Sequence, residues 1–194
     1  MREVTKRNSG SVGERSGFRA LFVWLVLGCA LLSPVYAQET SSGGPGASDG
    51  FVVVVPITGM VDEGLAVVVE RAVKESRNAK ALILNVNTFG GRVDSAVAIA
   101  NTLAQAKCPT IAYVSDNGAI SAGALISYAC KHIIMSPSTN IGAAQPILIT
   151  AEGTQPTGEK EVSFMRAKMR ALAEANGHNP DIAEAMVDKD IELR

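Results

Sequence analysis

Ser121 is the residue of this sequence best placed for nucleophilic chemistry. It lies in Asn117-Gly118-Ala119-Ile120-Ser121-Ala122-Gly123-Ala124, among mostly small neighbours. The pattern is a strand followed by a helix that opens on the serine. A hydroxyl at such a turn would share its place with the backbone N–H of the next residue, and the helix dipole favours negative charge there. The same position also suits an ordinary N-cap serine, whose hydroxyl satisfies a backbone N–H of the first turn. A second candidate is the double glycine of Asn87-Thr88-Phe89-Gly90-Gly91. Glycine lets the backbone turn sharply, and the N–H groups it presents can hold an oxyanion if they point into a pocket. A plain strand-to-helix turn uses the same residues.

A serine nucleophile needs a base. The chain has two histidines. His132 falls in an expected buried strand just after the serine's helix, at the wrong end of the sheet. His178 falls in Asn176-Gly177-His178-Asn179, a natural helix stop. Neither suits a Ser-His-Asp triad. A lysine serves if burial disfavours its charged form. Lys160 opens the helix after a long loop, where the dipole disfavours a cation further. Between Glu159 and Glu161 it also reads as an ordinary solvated lysine. Lys168 reads as surface, and Lys107 and Lys131 flank strand starts, at the end of the sheet opposite Ser121.

These residues need a frame, and hydrophobic periodicity supplies one. Phe51 to Ile57 is a continuous apolar run, expected as a strand buried on both faces and ended by Thr58-Gly59. Leu65, Val68, Val69, Ala72 and Val73 trace one face of a helix. Ala81 to Val86 predicts a second strand, Asn87 to Gly91 a loop, and Val93, Ala96, Val97 and Ala100 a second helix. Thr110 to Val114 predicts a third strand, Ser115 to Gly118 a polar turn, Ile120 to Ala129 a buried helix, and His132 to Met135 a fourth strand. A long loop runs from Pro137 to about Gly158. Val162, Met165, Met169, Leu172 and Ala173 then mark a helix ending near Gly177, and Pro180 starts a short last one. Alternating strands and helices predict an α/β fold with a mostly parallel sheet, right-handed crossovers and flanking helices. In such sheets function gathers where strands end and helices begin.

The 194 residues allow one domain plus appendages. A formal charge of −1 gives no electrostatic reason to expect nucleic acid, and 5% aromatic residues argue against a base-stacking surface. The scattered cysteines and histidines suggest no metal site and no cofactor. Residues 1–37 read as a signal peptide: Arg15 and Arg19, the apolar run Ala20 to Leu32, then Val35-Tyr36-Ala37. The run is short for a membrane span. Without residues 1–37 the chain carries −4. Residues 38–50 read as a flexible linker, rich in Ser, Gly and Ala. Residues 51–194 form the folded domain.

Taken in order, several motifs resemble the ClpP-class serine proteases, within the ClpP/crotonase-like superfamily. They are the Gly90-Gly91 loop, Ile120-Ser121-Ala122-Gly123, Met135-Ser136-Pro137-Ser138-Thr139-Asn140-Ile141-Gly142-Ala143, and the Lys160 helix with its end Leu172-Ala173-Glu174-Ala175-Asn176-Gly177-His178-Asn179. The nearest branch is the membrane-bound NfeD type, related to signal peptide peptidase A. The resemblance implies a fold with ββα/βα units, a Ser121 nucleophile and a Lys160 base. It implies an oxyanion hole from Gly90 or Gly91 and from Ala122. It also implies an extended peptide substrate along the segment after Gly91, which points to Arg92 and Val93 with Phe89 beside them. A stomatin-like membrane protein as substrate or partner, self-association into dimers or larger assemblies, and an exported, membrane-associated location follow from it too. Two departures stand out. The family's proline before the double glycine is Phe89 here, and the family pattern continues past Arg194, so the domain reads as C-terminally incomplete.

Two other functions fit the same residues. One is a crotonase-like acyl-thioester enzyme, which sits badly with an export signal. The other is a binding or scaffolding module that kept the fold without the activity. Cys108 and Cys130 belong at the end of the sheet opposite Ser121. Two buried free thiols are the expectation, with a disulfide as the alternative that export permits.

Overall fold

The computed structural model describes residues 50–188. The expected signal peptide (1–37) and residues 38–49 of the expected linker lie outside the described residues, as do residues 189–194.

Four parallel strands build the main sheet in the order β1 (Val53–Val61), β2 (Leu82–Gly91), β3 (Thr110–Ile120), β4 (His132–Met135). The crossovers are α1 (Glu63–Glu75), α2 (Val93–Leu103) and α3 (Ala122–Tyr128). When consecutive strands step in one direction, right-handed crossovers put every helix on the same face. The core therefore lies on one side of the sheet. Val55, Ile57, Leu82, Leu84, Val86 and Val114 pack there against Val69, Ile99 and Leu125. Burying each such side chain contributes roughly 1.5–3 kcal/mol. The other face keeps Val54, Tyr113 and Ile134 exposed. The first strand is thus buried on one face, not two: its apolar run hides an alternation that composition cannot display.

The strands run further than their apolar cores. β2 continues through the expected loop 87–91, and β3 through the expected turn 115–118. Side-chain bonds make this affordable for polar residues. Ser115 Oγ donates to Asn85 Oδ1 at 2.8 Å, and Asn87 joins both Asp116 and Asn117. The register slips twice, at Gly59 between β1 and β2 and between Val86 and Thr88 against β3.

After β4 the expected long loop carries structure. A short strand β5 (Ile141–Gly142) pairs with the end of β3. A detached antiparallel hairpin follows, β6 (Ile147–Thr150) and β7 (Gly153–Pro156). Helix α4 (Glu159–Asn176) ends at Gly177, whose φ of 79° is left-handed, as the helix stop requires. Asn179 caps α5 (Pro180–Ala185), with Pro180 in the first turn.

Cys108 and Cys130 are free thiols. Cys130 is buried, and desolvation pushes its thiol up to about 12 against a weaker opposing bond from Thr110. Cys108 is only partly buried. No helix among the described residues is long and apolar enough to cross a membrane.

Candidate active site

Ser121 sits at the joint between β3 and α3, at φ 55° and ψ −114°. A non-glycine residue at positive φ carries strain, and such strain clusters at functional sites. Ser121 is the N-cap of α3, yet its side chain makes no capping hydrogen bond. The ordinary reason for a serine here is therefore missing. Among the described residues the hydroxyl has no hydrogen-bond partner. The backbone around it is held firmly: Ser121 N–H donates to Gly142 O at 2.8 Å, and Ala119 N–H to Asn140 O at 2.9 Å.

The double glycine lies against this joint. A Cβ on Gly90 (φ 110°) would stand 2.7 Å from Ser121 Cβ and 3.1 Å from its Oγ. A Cβ on Gly91 would stand 2.2 Å from Val61 O. Both glycines are required by close approach. Their N–H groups differ. Gly90 N–H donates to Thr88 Oγ1 at 3.0 Å. Arg92 N–H donates to Val61 O at 2.8 Å. Ladder alternation then turns Gly91 N–H away from β1, toward the side where Ser121 stands. Of the two expected donors, Gly90 is the one already bonded. Ala122 follows Ser121 as the first residue of α3, so no intrahelical carbonyl takes its N–H.

Lys160 lies in the first turn of α4 and is exposed, not buried as a lysine base would suggest. Among the described residues it makes no hydrogen bond to Ser121. The two residues nevertheless face adjoining depressions. A cavity of about 10 Å³ beside Ser121 is lined by Val93, Ala96, Leu125, Ala144, Pro146 and Met165. One of about 360 Å³ beside Lys160 is lined by Ile147, Leu148, Thr157, Glu161 and Phe164. Val93, Pro146 and Met165 border both. The missed hairpin thus supplies one side of the groove, through Ile147 and Leu148.

Of the other expected residues, Phe89 and Arg92 line neither depression and Val93 lines both. Phe89 is 74% exposed. Arg92 is exposed, its guanidinium hydrogen-bonded to Asp94 and 3.4 Å from Glu63. The bond from Arg92 holds the Asp94 carboxyl below its ordinary range. Val93 opens α2 and lines both depressions. The histidines lie elsewhere. His132 is exposed at the start of β4, and His178 Nε2 is 2.8 Å from Cys130 O with its ring edge-on to Tyr128. No cluster of three or more metal-ligating side chains occurs among the described residues.

Sequence reasoning missed Thr88 and Met165 as parts of this site. Met165 read only as the core face of a helix. Thr88 stood in a presumed loop, and its burial at 1% exposure carried no sequence signal.

A family model described as the N-terminal domain of NfeD1b matches residues 51–194. Membrane protein NfeD1b of Bacillus subtilis (strain 168) is 34% identical over 180 residues, 92% of this chain and 38% of that protein. A membrane-bound protease of Pyrococcus horikoshii is 36% identical over 125 residues, 62% of this chain and 28% of that protein. The chain spans less than two fifths of the length of either relative. Among solved structures, the stomatin-specific protease 1510-N is similar in two forms. A serine-to-alanine mutant gives a TM-score of 0.69 at 31% identity, covering 76% of this chain and 74% of that one. A lysine-to-alanine mutant in complex with a substrate peptide gives 0.70 at 32%, covering 76% and 70%. The fold is accordingly the α/β, mainly parallel one of ClpP-like protease domains. With its family model matched from Phe51 to the last residue, the chain belongs to the NfeD1b family, through that family's N-terminal domain.

Proposed function

We propose that the domain is a serine endopeptidase that cuts extended segments of membrane-associated proteins through Ser121 and Lys160. The observation that carries this is the strained Ser121 joint, whose hydroxyl does no capping and stands against Gly90. The relatives named as proteases, one of them bound to a substrate peptide, support it.

In this reading a peptide lies across the two adjoining depressions, beside Gly91 and Val93, with Arg92 and Phe89 on the rim. Lys160 Nζ, unprotonated, takes the Ser121 proton as Oγ bonds to the peptide carbonyl carbon. The carbonyl π electrons move to oxygen, where Gly91 and Ala122 N–H hold the charge. The C–N bond then breaks, Lys160 returns the proton to the leaving amine, and an ester remains on Ser121. Water gives a proton to Lys160 and attacks the ester, and Ser121 Oγ leaves with that proton. An exposed lysine is a weak start for a base. A bound peptide would cover it against Phe164 and Leu148.

We infer an exported, membrane-proximal location, export from the signal-like residues 1–37 and the membrane from the names of the relatives, and a stomatin-like protein as substrate from the name of 1510-N. Self-association is supported by the exposed apolar face at Val54, Tyr113 and Ile134. The exposure of Lys160 favours one other reading, a peptide-binding module without activity. Cleavage of an apolar peptide by wild type, Ser121→Ala and Lys160→Ala decides between them. Both variants should be folded and inactive; equal cleavage by Ser121→Ala would overturn the assignment.

A further inference from the structure

Thr88 is buried within β2, and its hydroxyl is used twice. It donates to Gly59 O at 2.5 Å and accepts from Gly90 N–H at 3.0 Å. Gly59 is where the β1–β2 register slips, between the pairs Thr58–Asn87 and Met60–Gly90. The β2–β3 register also slips just before Thr88, which then pairs with Ala119, two residues before Ser121. The methyl of Thr88 faces the nucleophile's helix: a Cβ on Gly123 would stand 2.7 Å from Thr88 Cγ2. One side chain therefore touches β1 at the register slip, the glycine loop and α3.

We propose that Thr88 is a positioning residue for the acyl-transfer step, whose hydroxyl ties the Gly90-Gly91 loop to β1 and so sets Gly91 N–H relative to Ser121. This rests on the protease reading above. The bond to Thr88 also turns Gly90 N–H out of the pocket, which decides which glycine serves the oxyanion. A hydroxyl with a methyl is suited to the place. Valine fills the same space but takes the donor from Gly59 O and leaves the buried Gly90 N–H without its hydroxyl partner, which drives the loop to rearrange. Serine keeps both bonds and loses only the contact with Gly123.

The test uses the full chain as wild type, Thr88→Val and Thr88→Ser. Amide exchange at Gly90 reports the loop, and a quenched fluorogenic apolar peptide reports kcat and KM. Thr88→Val should speed Gly90 exchange by about tenfold or more, the equivalent of one lost hydrogen bond. It should lower kcat by about 10²-fold, the effect of displacing a catalytic group by about an ångström, with KM within about threefold. Thr88→Ser should restore both. Unchanged Gly90 exchange in Thr88→Val overturns the proposal, as does a loosened loop with unchanged kcat, or a Thr88→Ser chain as slow as Thr88→Val. A wild type without Ser121-dependent cleavage defeats the protease reading instead, and the exchange rates then decide alone whether Thr88 holds the loop.

Discussion

Replacing Gly90 by alanine tests how closely the loop and the nucleophile are fitted. The new Cβ would lie 2.7 Å from Ser121 Cβ, where ordinary contact begins near 3.4 Å, so one of the two must move by about 0.7 Å. Gly90 is also at φ 110°, which strains any other residue by about 1–3 kcal/mol. A second glycine separates the two effects. Gly153 in the β6–β7 hairpin has φ 114°, and a Cβ there meets nothing within 4 Å. Gly153→Ala therefore carries the backbone strain without the collision. Displacement approaching an ångström at a reacting group costs about 10²-fold in rate. Gly90→Ala should slow labelling of Ser121 by a fluorophosphonate by about 10–10²-fold, while Gly153→Ala stays within about twofold. The probe needs no knowledge of the natural substrate, and the melting temperature of each variant checks its fold. Gly90→Ala labelling at the wild-type rate would refute the argument. So would equal slowing in the two variants, which would assign the effect to strain alone.

Other outcomes follow from the same geometry. The 10 Å³ cavity beside Ser121 holds about one water, so wild type should prefer a small residue before the scissile bond; Met165→Ala should shift cleavage toward larger apolar residues in a peptide library. Iodoacetamide should modify Cys108 well before Cys130, whose buried thiol is pushed up to about 12, and equal rates by mass spectrometry would contradict its burial. Arg170 grips Glu184 and holds its carboxyl below the ordinary range. A lowered carboxyl adds stability above its unfolded value of about 4.5 and loses it as the pH falls through the folded one. Protection of the α5 amides, taken relative to their intrinsic exchange rates, should therefore fall in acid, and Arg170→Met should flatten that fall.

Much of this frame was legible in the sequence because burial and periodicity are written in side chains. The order of strands and helices, the stop at Gly177 and the Ser121 turn all follow from apolar spacing and turn residues. Strand ends were not legible. Asn87, Ser115 and Asn117 read as loop residues, and only their cross-strand bonds make them strand. The hairpin that borders the groove carried the signal Ile147-Leu148-Ile149, but its strands pair only with each other and stay exposed, so no core periodicity marked them. Thr88 shows the same limit: its value lies in contacts with Gly59, Gly90 and Gly123, which no local pattern foretells.

The proposed function turns on Ser121 as a nucleophile served by Lys160. Its most direct test is to treat the full chain with a fluorophosphonate and locate the adduct by tandem mass spectrometry. A single adduct on Ser121 is expected in wild type, strongly reduced in Lys160→Ala and unchanged in Lys168→Ala. An adduct on another serine, or labelling of Ser121 that is indifferent to Lys160, would contradict it.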